Sequence, residues 1–288
     1  MKIAVVGDGQ MGLVLAAALA ERGHSVRLWG PFENDIAELR TGRISPRLPE
    51  FRLPDTVEAT AEDDGALTAA GLVINAIPTQ YVRAVWKRVG PGIEPSASIV
   101  CVSKGIEIET LLLPTEIMAA VLNQQREGRG DRGYCVLSGP TIAAELAKKL
   151  PATMVASSAD EQLSALVQDA FDFPWLRVYR HHDPHGVELA GATKNVIALA
   201  AGMVDGLGAG SNAKSALLAR GLAEIARLGL ALGADKETFF GVAGVGDLAT
   251  TCFSPYGRNR TCGERLGRGE TLDEILDSTK SVVEGVPT

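Results

Sequence analysis

The chain has 288 residues, a length that points to two domains at roughly 100–200 residues each and excludes a small disulfide scaffold or short zinc module. Hydrophobic residues make up 46% and charged residues 22%, ordinary globular usage, and the formal net charge of −7 argues against a nucleic-acid-binding domain. Glycine is in excess, 32 residues or about 11% against a typical ~7%, which implies many tight turns and close backbone approaches.

In chain order, short apolar segments rich in Val and Ile are expected as strands: Ile3–Val6, Val26–Trp29, Val73–Ile77, Ile99–Val102, Cys135–Leu137, Thr153–Ala156 and Leu176–Tyr179. They show little polar alternation, as strands buried on both faces do. Helical stretches such as Met11–Arg22, Leu111–Asn123 and Glu161–Phe171 lie between them. This alternation predicts a parallel, doubly wound α/β sheet. The charged, glycine-rich connection Arg126–Gly133 reads as an exposed turn. From about Pro184 no convincing strand follows, and small residues recur at helical spacing through Ala190–Val204, Ala213–Leu232, Leu266 and Leu272–Leu276. The expected fold is therefore an N-terminal Rossmann-like sheet domain over 1–183, followed by an all-α domain over 184–288.

No secretory signal is visible after Met1-Lys2, and no apolar stretch reads as the 18 or more residues of a membrane span. Cys101, Cys135, Cys252 and Cys262 lie far apart without C-x-x-C spacing, so neither a zinc site nor a disulfide framework is expected. A cytoplasmic enzyme is the natural reading.

Gly7-Asp8-Gly9-Gln10-Met11-Gly12 is a G-x-G-x-x-G string that follows the first strand and opens the first helix. That context makes it a dinucleotide fingerprint: Gly7 for the tight turn, Gly9 for pyrophosphate approach, Gly12 for helix–strand packing. The free N–H groups of the helix start favour phosphates. The second strand ends Leu28-Trp29-Gly30-Pro31, with neither the acid that selects NAD nor the arginine that selects NADP. Glu33, Asp35, Arg27 and Arg52 are near in sequence, and spacing selects none of them.

Further along, Ser103-Lys104-Gly105 ends a strand at the carboxyl edge of the sheet, where ligands of this architecture bind. Ser138-Gly139-Pro140-Thr141 ends the next strand and opens a helix, its hydroxyls suited to a substrate oxygen or to capping. Lys194 sits in a helix of small and apolar residues, where it either snorkels to solvent or, desolvated near other cations, serves as a general acid/base. Asp247 lies in a glycine-rich setting, and Gly257-Arg258-Asn259-Arg260 carries a guanidinium suited to phosphate. His181, His182 and His185 cluster near the junction, where a solvated hinge is favoured over a metal site.

Taken in order, these stretches resemble the bacterial-type NAD(P)-dependent glycerol-3-phosphate dehydrogenases. The fingerprint, Ser103–Gly105, Ser138–Thr141 and Glu188–Val196 carry the likeness. So do Asp205–Gly208, Arg220–Glu224, Gly244–Leu248, Arg258–Arg260 and Glu284-Gly285. The resemblance implies reversible hydride transfer between NAD or NADP and a small phosphate ester, dihydroxyacetone phosphate, giving sn-glycerol 3-phosphate for phospholipid synthesis. It implies Lys194 as general acid/base and Lys104 as a substrate- and nicotinamide-proximal cation. Asp247 and Thr193 would position the lysine or substrate hydroxyls, and Arg258 and Asn259 would hold the phosphate beside Gly139, Thr141 and Gly257. Gln10, Met11, Lys104, Ala143, Arg258 and Glu284 would touch the dinucleotide, and no metal is implied.

The same resemblance implies a homodimer, and family members that continue past Glu284-Gly285 through further helical sequence. Against the family pattern, Gln10-Met11 replaces Ser-Trp, Thr141 replaces Ser, Gly257 replaces Ser or Thr, and Gly30-Pro31 replaces an Arg or His after the tryptophan. The neighbouring readings are a dehydrogenase of the 6-phosphogluconate or β-hydroxyacid type and a non-catalytic dinucleotide sensor. The Arg258-Asn259 pair weighs against the first, and the two lysines against the second.

Overall fold

A computed structural model describes residues 1–125, 132–279 and 281–288. The chain enters through β1 (Lys2–Val6), α1 (Gln10–Glu21), β2 (Ser25–Trp29) and α2 (Glu33–Gly42). A small antiparallel pair, β3 (Ile44–Ser45) and β4 (Leu48–Arg52), stands off the main sheet before β5 (Val57–Thr60) rejoins it. β6 (Leu72–Asn75), α3 (Thr79–Val89), β7 (Ser98–Cys101), α4 (Pro114–Gln125) and β8 (Tyr134–Ser138) follow. The sheet half ends with α5 (Ala143–Ala147), β9 (Ala152–Ser157), α6 (Glu161–Phe171) and β10 (Leu176–His181). The turn expected over Arg126–Gly133 lies mostly outside the described residues.

The main sheet has eight strands in the order β10-β9-β8-β7-β6-β1-β2-β5. From β5 to β8 all neighbours are parallel, and the order reverses direction between β1 and β6. That is the dinucleotide-binding arrangement, with its crevice at the switch point. Successive residues of a strand face opposite sides, so Ile3 and Val5 join one core layer while Ala4 and Val6 join the other. The first layer packs under α1 and α6; the second packs under α3 and α4 around Trp86 and Ile117. Each such fully buried large side chain contributes about 1.5–3 kcal/mol of burial free energy.

One expectation is corrected here: β9 runs antiparallel to β8, and β10 is parallel to β9. The connection explains the reversal. α5 has five residues, about 7.5 Å of helix. A five-residue strand such as β8 is roughly 17 Å long, so this short helix does not return the chain to the opposite edge. β9 therefore starts where β8 ends.

Helices follow from Asp183 onward. α7 (Pro184–Gly206) starts with proline at its first position and is capped by Asp183, whose Oδ1 accepts from the Gly186 amide at 2.8 Å. α8 (Gly210–Ala231), α9 (Lys236–Phe240), a π-helical turn over Val242–Gly246, α10 (Asp247–Phe253), α11 (Arg258–Gly267) and α12 (Leu272–Ser278) complete the fold. α7 and α11 approach to backbone contact. A β-carbon at Gly202 would lie 1.9 Å from the Arg260 carbonyl oxygen, and one at Gly263 would lie 1.9 Å from that of Leu199. By length and composition α7 does contain an apolar window long enough to cross a membrane, contrary to the sequence reading. Two-thirds of that window is buried inside the protein, where it serves as the core helix of the α-helical half.

Candidate active site

The glycine fingerprint folds as its chemistry requires. Gly7 has φ +119°, and a β-carbon there would lie 2.7 Å from the Ala76 carbonyl oxygen. A β-carbon at Gly12 would lie 1.9 Å from the Gly7 oxygen, so only glycine allows α1 to sit on this turn. At Gly9 the same construction meets nothing within 4 Å. The open space therefore lies where a pyrophosphate would approach the backbone, and no side chain caps the first amides of α1. These residues fit a dinucleotide.

A buried cationic cluster lies beyond the carboxyl edge of the sheet. The loop after β7 carries Lys104, and it is pinned from β6: Asn75 Nδ2 donates to Ser103 Oγ at 2.8 Å while Trp86 Nε1 donates to Asn75 Oδ1 at 2.9 Å. Lys104 Nζ donates to Asp247 Oδ2 at 2.6 Å and to the Gly139 carbonyl oxygen at 3.2 Å. From the middle of α7, Lys194 Nζ reaches Asp247 Oδ1 at 3.0 Å and Thr251 Oγ1 at 2.5 Å. Thr251 Oγ1 in turn donates to the Asp247 carbonyl oxygen one helical turn earlier. The π-helical turn before α10 places Asp247 at the first position of that helix.

Lys194 is only 5% exposed and Asp247 only 2%. Burial lowers the Lys194 pKa to about 8; Asp247 opposes that shift and Lys104 adds to it. Burial acts to raise the Asp247 pKa, but Lys104 and Lys194 outweigh it and hold the carboxyl below its usual range. The result is an ammonium group poised to titrate near neutrality, held by an ionised carboxylate. Such a lysine can donate a proton to a developing alkoxide or take one from an alcohol.

Thr193, named beside Lys194, points elsewhere: its hydroxyl donates to the Leu189 carbonyl oxygen at 2.6 Å within α7. Thr141 does not cap α5 either. Its Oγ1 donates to the Gly139 carbonyl oxygen at 3.2 Å, and α5 begins without a side-chain cap. Ser138 Oγ is buried and has no hydrogen-bond partner within the protein. Gly139 has φ +150° and packs against the Thr153 carbonyl oxygen, which side chains larger than hydrogen would clash with.

Gly257 caps α11, Arg258 opens it, and the Arg258 Nη1 donates to the Val282 carbonyl oxygen at 3.0 Å. Asn259 is buried, its Oδ1 accepting from the Gly285 amide at 2.8 Å. This bond presents Glu284, whose Oε1 accepts from the Thr79 amide at the start of α3 at 2.9 Å. Glu284 Oε2 and Thr79 Oγ1 are both buried and unbonded. Burial pushes the Glu284 carboxyl up, with the Thr79 amide and Arg258 opposing it. Ala143 is buried at the first turn of α5. Gln10 Nε2 donates to the Arg47 carbonyl oxygen at 2.7 Å.

Among the histidines, His181 and His182 stack, and His182 Nε2 lies 2.8 Å from Asp235 Oδ2. Three site residues escape a reading by motif. Thr251 sits in an unremarkable Ala-Thr-Thr-Cys run, and Thr79 and Asn75 lie in no recognisable pattern. The only signal for Thr251 is its i+4 spacing from Asp247, once a helix there is known.

The family model described as NAD-dependent glycerol-3-phosphate dehydrogenase N-terminus matches residues 2–164, and the corresponding C-terminus model matches residues 183–288. The chain belongs to the NAD-dependent glycerol-3-phosphate dehydrogenase family. A glycerol-3-phosphate dehydrogenase [NAD(P)+] of Geobacter metallireducens is 44% identical over the whole chain, which covers 85% of that relative. One from Staphylococcus haemolyticus is 43% identical, with 86% of its length covered. In three dimensions, a crystal structure of the Coxiella burnetii glycerol-3-phosphate dehydrogenase aligns with a TM-score of 0.93 at 34% identity, over 99% of this chain and 86% of that one. The Saccharomyces cerevisiae enzyme shares the fold at 24% identity with a TM-score of 0.82, over 99% of this chain and 87% of that one.

Proposed function

We propose that the protein interconverts dihydroxyacetone phosphate and sn-glycerol 3-phosphate with NAD(P)H or NAD(P)+, feeding glycerophospholipid synthesis. The observation that carries this reading is the buried Lys104–Asp247–Lys194 array, at the same carboxyl edge of the sheet as the glycine turn, within a member of this family. We divide the chain into a dinucleotide-binding unit, 1–183, and a substrate and catalytic unit, 184–288.

A bound nicotinamide supplies or accepts the hydride. The chain supplies the rest. Gly7, Gly9 and Gly12 shape the cradle that Gln10 and Met11 border, and Ala143, Arg258 and Glu284 complete the cofactor side. Lys194, at a pKa of about 8, gives its proton to the carbonyl oxygen in reduction and recovers it in oxidation. Lys104 stabilises the developing oxygen charge and Asp247 orients both ammonium groups. Arg258, exposed at the start of α11, is the phosphate ligand, with Asn259, Gly257, Gly139 and Thr141 forming the wall.

All four cysteines are free and buried, in keeping with a reducing cytoplasm. The homodimer rests on family resemblance, and light scattering reads it directly. Loss of 340 nm absorbance from NADH or NADPH on adding dihydroxyacetone phosphate tests the activity. No change with either cofactor in folded protein overturns it. Arg258→Ala should raise KM for dihydroxyacetone phosphate at least ten-fold, and an unchanged KM removes the phosphate role.

A further inference from the structure

The end of β2 is where this architecture reads the adenosine ribose, and here Gly30-Pro31 offers no side chain for it. The structure fills that place from elsewhere. A β-carbon on Gly30 would lie 2.8 Å from Asp8 Cγ, so the carboxylate of the fingerprint's second residue occupies the position of a β2-terminal acid. Arg47, from the turn between β3 and β4, spans Asp8 and a second acid. Its Nη1 donates to Asp8 Oδ2 at 2.9 Å and its Nη2 donates to Asp35 Oδ2 at 2.7 Å. The Arg47 backbone is tied to the fingerprint helix through Gln10. Glu33 adds another acid to the first turn of α2, and the nearby Arg40 is engaged with Glu33 and the Ala59 carbonyl oxygen.

We infer that Asp8, Arg47 and Asp35 form the cofactor selector of this protein, and that it favours NAD(H) over NADP(H). The inference rests on the dehydrogenase reading above. The group carries two carboxylates against one guanidinium, a net charge of −1. A carboxylate accepts a hydrogen bond from the ribose 2′-hydroxyl. A 2′-phosphate brings roughly −1.5 to −2 of further charge to the same place. The only cation of the group is already bonded to both acids, and Asp8, 7% exposed, is not free to swing away. Recognition of NADP(H) would require breaking both ion pairs of Arg47 and leaving a buried carboxylate beside the phosphate. The two acids thus act together: Asp8 receives the hydroxyl, while Asp35 keeps Arg47 from serving as a phosphate ligand.

Calorimetric titration of the intact protein with NADH and NADPH, without substrate, tests this independently of turnover. Wild type should bind NADH at least ten-fold more tightly than NADPH. Asp35→Ala should move the ratio at least five-fold toward NADPH by releasing one side of Arg47, and Asp8→Asn with Asp35→Ala should move it further. The single surface variant carries the test should the double variant not fold. Displacement of bound NADH by 5′-AMP and by adenosine 2′,5′-bisphosphate, which differ only in the 2′-phosphate, should show the same order. Equal or tighter NADPH binding by wild type, or a ratio unmoved in folded Asp35→Ala, overturns the selector. Absence of binding by both cofactors overturns the dehydrogenase reading instead.

Discussion

Lys194 and Asp247 face each other at 3.0 Å in a site where both are almost fully buried, and the second oxygen of that carboxylate is held by Lys104. One buried anion thus serves two buried or half-buried cations. Its loss would leave two ammonium groups facing each other with no counter-charge. Asp247→Asn should therefore lower kcat by about 10²-fold or more, on the scale of general acid/base catalysis. The Lys194 pKa should also fall further below about 8, because its main favourable interaction is gone. The pH profile of the residual activity checks this: its alkaline limb should move to lower pH.

The two directions of the wild-type reaction should depend on pH with opposite sign. Reduction needs protonated Lys194, so its rate should fall as pH rises through about 8. Oxidation needs the neutral amine and should rise over the same window. Single-turnover rates in both directions between pH 6 and 10 measure this. Two parallel profiles would remove Lys194 from proton transfer.

Thr251 accepts from Lys194 through a hydroxyl that also binds the Asp247 backbone. Thr251→Val keeps the shape and removes the bonds. We expect kcat to fall about ten-fold, on the scale of one charge-assisted hydrogen bond, with little change in KM. Thr251→Ser should recover most of the loss, and a shifted pH limb in the valine variant would separate positioning from a merely structural role.

The fingerprint glycines should separate folding from binding. Gly12→Ala places a methyl 1.9 Å from a backbone oxygen, so α1 must move and thermal stability should drop. Gly9→Ala meets no protein atom within 4 Å. Its Tm should stay near wild type while cofactor affinity falls at least ten-fold. Thermal melts with and without cofactor distinguish the two.

Glu188 is a buried acid away from the chemistry, bonded by the Thr115 amide at 3.1 Å and by the Thr115 hydroxyl. Burial raises its pKa to about 7. The folded state then binds this proton more tightly than the unfolded chain, whose glutamate titrates near its ordinary 4.5. Its contribution is fully present below about pH 4.5 and is lost as pH rises through about 7. Glu188→Gln should remove that loss, gaining about 1–3 kcal/mol on wild type at pH 8 relative to pH 5 in urea unfolding.

Seven of the eight strands of the main sheet were legible because runs such as Val73-Ile74 and Ile99-Val100 are buried on both faces. β4 was not: it carries Pro49 and Glu50, faces solvent along much of its length and pairs only with β3. Neither was β5, a four-residue strand with an exposed glutamate. The direction of β9 was hidden as well, since side-chain periodicity is the same for either direction and only the length of α5 decides it. Lys194 and Asp247 could be singled out by the family pattern, whereas Thr251 became visible only when α10 placed it a turn from Asp247. Asp8 lay inside the fingerprint, at a position whose side chain the glycine pattern leaves unspecified. Its role as a substitute acid depends on Gly30 lacking a β-carbon.

The bond from Glu284 to the start of α3 joins positions 205 residues apart. The crevice floor is laid down by the first strands, but this contact on its rim comes from the segment that follows the last helix. Closing so long a loop costs about 5 kcal/mol of chain entropy by a (3/2)RT ln n estimate. The rim contact therefore forms late in folding, after the sheet has given this segment a surface to land on. During synthesis Thr79 leaves the ribosome long before Glu284 does, so this corner of the crevice is completed after its floor.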